Sequence, residues 1–121
     1  MTKEELKKRT KVFAVSVFKF LMEIEKSKAV DVVSFQLFKS SSSVAANYRA
    51  VCRGKSSADF LNKLKVVDEE ADESLFWLEF IKDLEIECDT NQLDKLIKEA
   101  DELVSIFSAG IKTIKEKNNT K

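Results

Sequence analysis

The sequence has no histidine and no proline, only two glycines (Gly54 and Gly110) and only two cysteines (Cys52 and Cys88). Each shortage excludes something. Without imidazole, neither a serine nor a cysteine has the usual base that would make it a nucleophile. The Glu-x-x-His pairs that hold dinuclear iron or manganese in helical bundles cannot form, and zinc loses a principal donor. No glycine-rich turn is available for an oxyanion hole or a phosphate-binding loop. The chain is therefore read as a non-enzyme with no cofactor and no metal. Cys52 and Cys88 fall on different predicted elements without CxxC spacing, which fits two buried free thiols in a reducing compartment. No apolar run reaches the roughly 20 residues that span a bilayer. The opening Met1-Thr2-Lys3-Glu4-Glu5 lacks the apolar centre of a secretory signal. The expectation is a cytoplasmic protein with no membrane partner.

Scarce glycine and absent proline also leave a strand-rich chain few places to turn, so the sequence favours helix throughout. With 121 residues and 44% hydrophobic content, one domain, residues 1–121, can bury a core of its own. The net charge is zero, but residues 1–66 carry 14 Lys+Arg against 6 Asp+Glu, and residues 67–121 carry 7 against 15. Packed helices of opposite charge are the plain reading of that split, and partner-binding surfaces are the other. A balanced total speaks against strong nonspecific nucleic-acid binding, which needs surplus cations to displace counterions, yet allows a local basic patch. Lys3, Lys7, Lys8, Arg9 and Lys11 form one such run, more often a solvated helix face than a binding site.

Thr2 and Glu5 have the spacing of a capping box, so the first helix is predicted to run to about Glu25. Leu6, Thr10, Phe13, Val17, Phe20, Leu21 and Ile24 recur at three- and four-residue steps and form its inward face. Val12, Val15, Phe18 and Met22 lie off that stripe, and a second apolar face on a bundle helix implies self-association. A second helix is predicted from about Ala29 to Arg53, with Val30, Val33, Leu37, Val44 and Val51 inward. Gly54 is placed at the left-handed position that ends it, and Ser56 or Ser57 caps a third helix, about Ser57 to Leu84. Phe60, Leu64, Val67, Ala71, Leu75, Leu78 and Ile81 point inward there. A loop at Glu85–Asn91 and a cap at Asp89 or Thr90 precede a fourth helix to about Lys115, in which Leu93, Leu96, Ile97, Ala100, Leu103, Val104, Phe107, Ile111 and Ile114 keep the helical spacing, with Asn118 to Lys121 frayed. Short connections between sequential helices give an all-α, up-down-up-down antiparallel four-helix bundle.

The most informative stretch is Lys39-Ser40-Ser41-Ser42-Ser43-Val44-Ala45-Ala46-Asn47-Tyr48-Arg49-Ala50-Val51-Cys52-Arg53. Serines are mediocre helix formers, so tertiary contacts must hold four in a row. They suit either close packing across a small-residue seam or a polar ligand site. Folding about Gly54 brings Glu70 level with Lys39, with Asp59 and Phe60 near Arg49, and ion pairs are expected across that seam. The candidate partner-binding face or polar seam is Lys39, Ser40, Ser43, Asn47, Tyr48, Arg49 and Arg53, with Glu69, Glu70 and Glu73 opposite. Phe76, Trp77 and Phe80 read as core or an oligomer contact rather than a stacking platform for bases.

Gln36, Ser40, Ser43-Val44, Asn47-Tyr48-Arg49, Cys52-Arg53, Ser56, Phe60, Lys63-Leu64, Glu69 to Leu75 and Trp77-Leu78-Glu79 together resemble a bacterial four-helix bundle family. It is named for proteins encoded in intervening sequences of 23S ribosomal RNA genes, and the likeness runs from about Phe13 to Phe107. The resemblance implies a homopentameric ring with no established activity. It also implies kinship with the accessory protein of diversity-generating retroelements, a basic pentameric barrel that binds nucleic acid and a reverse transcriptase. This chain departs from the pattern at Lys39, where arginine is usual, and at Ala50, where other branches carry glutamate. It is also neutral where the retroelement protein is basic. Two functions stay open: a ring that contacts RNA, DNA or a nucleic-acid-associated protein through Lys39, Asn47, Arg49 and Arg53, or a protein-interaction scaffold in which those residues pair with Glu69, Glu70 and Glu73.

Overall fold

The computed structural model describes residues 1–119, and among them all regular structure is helical: α1 Lys3–Met22, α2 Lys28–Val51, α3 Ser57–Asp83 and α4 Thr90–Asn119. Thr120 and Lys121, part of the predicted frayed tail, lie outside the described residues, whereas Asn118 and Asn119 are helical. Every helix starts where a polar side chain takes an orphan amide. Glu5 N–H donates to Thr2 Oγ1 at 3.1 Å and Thr2 N–H to Glu5 Oε2 at 3.2 Å, which completes the capping box. Val30 N–H donates to Ser27 Oγ, Asp59 N–H to Ser56 Oγ and Gln92 N–H to Asp89 Oδ1, at 3.0–3.1 Å.

Three helix ends differ from expectation, α4 among them, which runs to Asn119 rather than to about Lys115. The first helix stops at Met22 because Glu23 and Ile24 N–H turn back to Phe20 and Leu21 O, tightening the last turn so that Ile24 tucks into the core. The second stops at Val51, and Gly54 is not left-handed, since no glycine has positive φ. Arg53 N–H to Ala50 O and Gly54 N–H to Val51 O close the turn within the right-handed region. What favours glycine is space: a Cβ at Gly54 would sit 3.1 Å from Val51 O and 3.3 Å from Asp59 Oδ2, so both neighbours would have to give way slightly. The left-handed residue is Glu85, with φ 55°, just past the end of α3.

Consecutive helices run antiparallel. Ser40 meets Ser74 and Gly54 abuts Phe60 on α2 and α3, while Asp68 meets Ser108 and Lys82 meets Asp94 on α3 and α4. In both pairs of helices, one partner's number rises as the other's falls. The four helices share a core in which Val17, Leu37, Val44, Val67, Ala71, Leu78, Ala100 and Leu103 are completely buried. The predicted inward stripes supply it, except that Val30, Phe60, Leu75, Ile97, Val104, Ile111 and Ile114 are only half-buried at its margin. The off-stripe residues Val12, Val15, Phe18 and Met22 of α1 are exposed.

The α1–α4 seam is the sparsest of the four. It carries the tightest ion pair, in which Arg9 Nε donates to Glu99 Oε2 at 2.8 Å and Arg9 Nη2 to Glu99 Oε1 at 2.6 Å, with Glu102 Oε2 at 3.4 Å. Of the ion pairs among the described residues, only these join the basic half of the chain to its acidic half; the others, Lys7–Glu4, Lys63–Asp59 and Lys82–Asp94, stay within a half. Mutual neutralisation of the two halves is therefore mostly not what the fold does with its charge. Two parallel hydrogen bonds match guanidinium to carboxylate, so Arg9→Ala should lower unfolding stability by about 1 kcal/mol in urea titrations, and Arg9→Lys should not restore it.

Candidate functional site

Helical periodicity divides the central stretch between two opposite faces of α2. Ser40, Ser41, Val44, Tyr48 and Val51 turn inward and are buried. On the other side, Lys28, Val32, Phe35, Lys39, Ser42, Ala46, Arg49 and Arg53 follow one another at alternating steps of four and three, and all are exposed. Ser43 and Asn47 lie between these faces, half-buried. The candidate residues are thus not one cluster but a buried seam and an outer strip.

The seam is built of small, buried side chains. Ser74, which the sequence reading left unassigned, faces Ser40 with the two hydroxyl oxygens 3.0 Å apart, and both side chains are buried. Ser74 Oγ is 2.8 Å from Glu70 O, and Ser40 Oγ is 3.3 Å from Leu37 O. Each hydroxyl has one proton and can accept others, so the pair is satisfied whichever one donates across the seam. Ser41 donates to Phe38 O at 3.4 Å, Ser42 to the same oxygen at 2.7 Å, and Asn47 Nδ2 to Ser43 O at 2.9 Å. Among the described residues, no buried side-chain polar atom lacks a partner. The serines therefore serve close packing, and no unfilled hydrogen bond in the seam calls for a ligand. Ser74 stands between Ala71 and Leu78 at helical spacing, which is the signal that marks it as inward.

Tyr48 closes the seam near the Gly54 end, its ring 5.7 Å from that of Phe107. Burial, reinforced by the neighbouring Cys52, pushes its phenol up from 10.0 to about 12. Cys52 and Cys88 are half-buried rather than fully enclosed, and burial followed by Asp89 raises the Cys88 thiol above its ordinary value.

The expected ion pairs between α2 and α3 do not form among the described residues. Arg49 and Arg53 are exposed and form no ion pair with α3, and Asp59 pairs instead with Lys63 at 3.2 Å. Burial raises the Glu70 carboxyl and Glu73 adds to it, while Lys39 acts in the opposite direction from too far away to form a pair. Glu69 and Glu73 are exposed on α3, and Glu73 Oε1 accepts from Trp77 Nε1 at 3.4 Å. Lys39 and Arg49 on the outer strip of α2, and Arg53 just past its end, thus have no carboxylate ion-pair partner among the described residues. Arg53 lies fourteen positions after Lys39, about 21 Å at the helical rise. Among the described residues no group of acidic or thiol side chains could hold a metal, and no helix is long and apolar enough to cross a membrane.

With this geometry in hand, the comparisons become decisive. The family described as 23S rRNA-intervening sequence protein matches residues 2–109. The chain belongs to that family. A solved relative from Bacteroides thetaiotaomicron, described as a protein of unknown function from the S23 ribosomal protein family, superposes with a TM-score of 0.81 at 28% identity. The match covers 93% of this chain and 99% of the relative. No curated protein matches. The family resemblance read from the central stretch is therefore correct.

Two measurements test the seam. Tyr48 is the only tyrosine, so its phenolate absorbance titrates that residue alone. The midpoint should lie near pH 12 in the folded protein and near 10 in denaturant. Because the folded pKa is the higher one, the stability tied to Tyr48 is fully present below about pH 10 and is lost as pH rises towards 12, a loss that Tyr48→Phe should abolish. Separately, Ser40→Ala should change unfolding stability by less than about 1 kcal/mol, because Ser74 keeps Glu70 O as its acceptor. Ser40→Leu should cost about 1–3 kcal/mol by forcing the helices apart.

Proposed function

We propose that this chain is a non-catalytic, self-associating cytoplasmic bundle, assembled as a homopentameric ring, that presents the outer strip of α2 to RNA or to a ribonucleoprotein. The observation that carries this reading is the row of exposed cations, Lys39 and Arg49 on one face of α2 and Arg53 just past its end, which have no ion-pair partner among the described residues. Cations held on a helix face suit phosphate oxygens, which position a nucleic acid without reading its sequence. Asn47 spends its amide on Ser43 O and is less free to contribute than the sequence alone suggests. The ribosomal names of the family and of the solved relative favour RNA as the nucleic acid.

A second reading, a protein-interaction scaffold, is favoured by one specific fact. Glu69, Glu70 and Glu73 also form no ion pair among the described residues, so they can receive Arg49 and Arg53 from a neighbouring subunit.

One double variant separates the two. If the strip binds phosphates, Arg49→Ala with Arg53→Ala should abolish RNA retardation in a gel-shift assay and leave the light-scattering mass unchanged. The slope of log affinity against log salt for the parent should be about −2 for three contacts to a single strand. If the same residues instead join subunits, the double variant should fall to lower mass. Unchanged RNA binding by an intact assembly would sink the first reading.

A further inference from the structure

Four helices around one core leave their outward faces uncovered, and here α1 and α3 carry the longer apolar strips, while α2 exposes Val32 and Phe35. On α1, Val12, Val15 and Met22 are exposed on the side opposite the buried stripe, and Phe18 flanks them, its ring packed on Phe38 of α2 at 4.3 Å. Lys8, Lys11 and Lys19 border them, and Val12 and Val15 line a shallow groove of about 520 Å³ with those lysines and Ser16. No carboxylate occurs between Leu6 and Met22.

The second face is on α3. Phe76, Phe80 and Leu84 are exposed, and Trp77 lies half-buried against them. Its rings are already packed together: Phe76 on Trp77 at 4.9 Å, Trp77 on Phe80 at 5.4 Å and Phe76 on Phe80 at 5.9 Å. An aromatic cluster that is rigid before it meets a partner loses little side-chain freedom on binding. Its rim has the opposite sign, with exposed Asp72, Glu73, Glu79 and Asp83. The one lysine there, Lys82, is already paired with Asp94 at 3.0 Å.

These faces cannot meet within one molecule. Helices α1 and α3 stand diagonally across the bundle without backbone approach, and Lys3 over the Phe60 ring at 4.9 Å joins them far from either face. Self-pairing of either face would oppose lysines to lysines or carboxylates to carboxylates, which costs affinity. Pairing of unlike faces satisfies both the apolar surface and the charge. We propose that the basic apolar face of α1 in one copy receives the acidic aromatic face of α3 in the next. The contact is head-to-tail, so each pair keeps one free face of each kind and association continues until it closes into a ring. This inference rests on the self-association proposed above and specifies which surfaces carry it. It also leaves the cations of α2 outside the contact.

The test uses two full-length variants, Val12→Asp with Val15→Asp to break the α1 face, and Phe76→Lys with Phe80→Lys to break the α3 face. Every changed residue is exposed, so circular dichroism should match the parent. Light scattering over a concentration series should show an assembled parent, two monomeric variants, and a species of twice the chain mass when the variants are mixed. The mixture is the decisive arm, because each variant still holds the face the other has lost. A mixture that stays monomeric, or a variant that assembles alone, overturns the head-to-tail contact. A monomeric parent overturns the self-association itself. Should the charged variants lose helicity, Val15→Ser and Phe76→Ser make the same comparison by removing apolar surface alone.

Discussion

The close approach of α2 and α3 at Ser40 and Ser74 is the constraint on which the rest of the molecule depends. Small side chains at Ser40, Ser41, Ala71 and Ser74 let the two backbones come together, and all four are buried. The hydroxyls gain acceptors from the carbonyls of their own helices, so polarity costs the core little. Successive residues differ by about 100° around a helix axis, so this contact also orients everything else on α2. With Ser40, Val44 and Tyr48 inward, Lys39, Arg49 and Arg53 must face out. The outer strip is the geometric complement of the seam.

The charge of the chain follows from the same arrangement. Opposite charge in the two halves suggests neutralisation between packed helices, yet Arg9 with Glu99 and Glu102 is where the halves meet in ion pairs. Bundle helices bring apolar stripes together and send long charged side chains outward, so most cations of α1 and α2 and most carboxylates of α3 remain on outer faces. A neutral protein with segregated charge is suited to ordered contact with another molecule, where the arrangement of charge controls orientation more than affinity. An exposed apolar face beside each charged border carries that argument from electrostatics to assembly.

Much of this was legible in the residues. Thr2 with Glu5, Ser27, Ser56 and Asp89 mark helix starts through amides that must be satisfied locally, and the apolar periods of α1, α3 and α4 mark their inward faces. Gly54 misled because glycine after a helix has two explanations, a left-handed residue or a lack of room, and only the positions of Val51 O and Asp59 Oδ2 distinguish them. Glu85 took the left-handed position without any residue-type signal. The ion pairs foreseen between α2 and α3 failed because level along the axis does not imply the same side of a helix. Glu70 is level with Lys39 and still does not meet it.

The sequence by itself determined the all-helical architecture, the caps, the core stripes and the family, because these depend on local hydrogen bonding, on residue spacing within one helix and on a pattern of residue types along the chain. Tertiary structure alone decided that the serine run is a satisfied packing seam, that Ser74 completes it, and that Arg49 and Arg53 are free of α3. It also decided that the apolar faces of α1 and α3 look away from one another. Each of these depends on the rotation of one helix relative to its neighbours, which periodicity within a single helix leaves open and only the packing of all four helices sets.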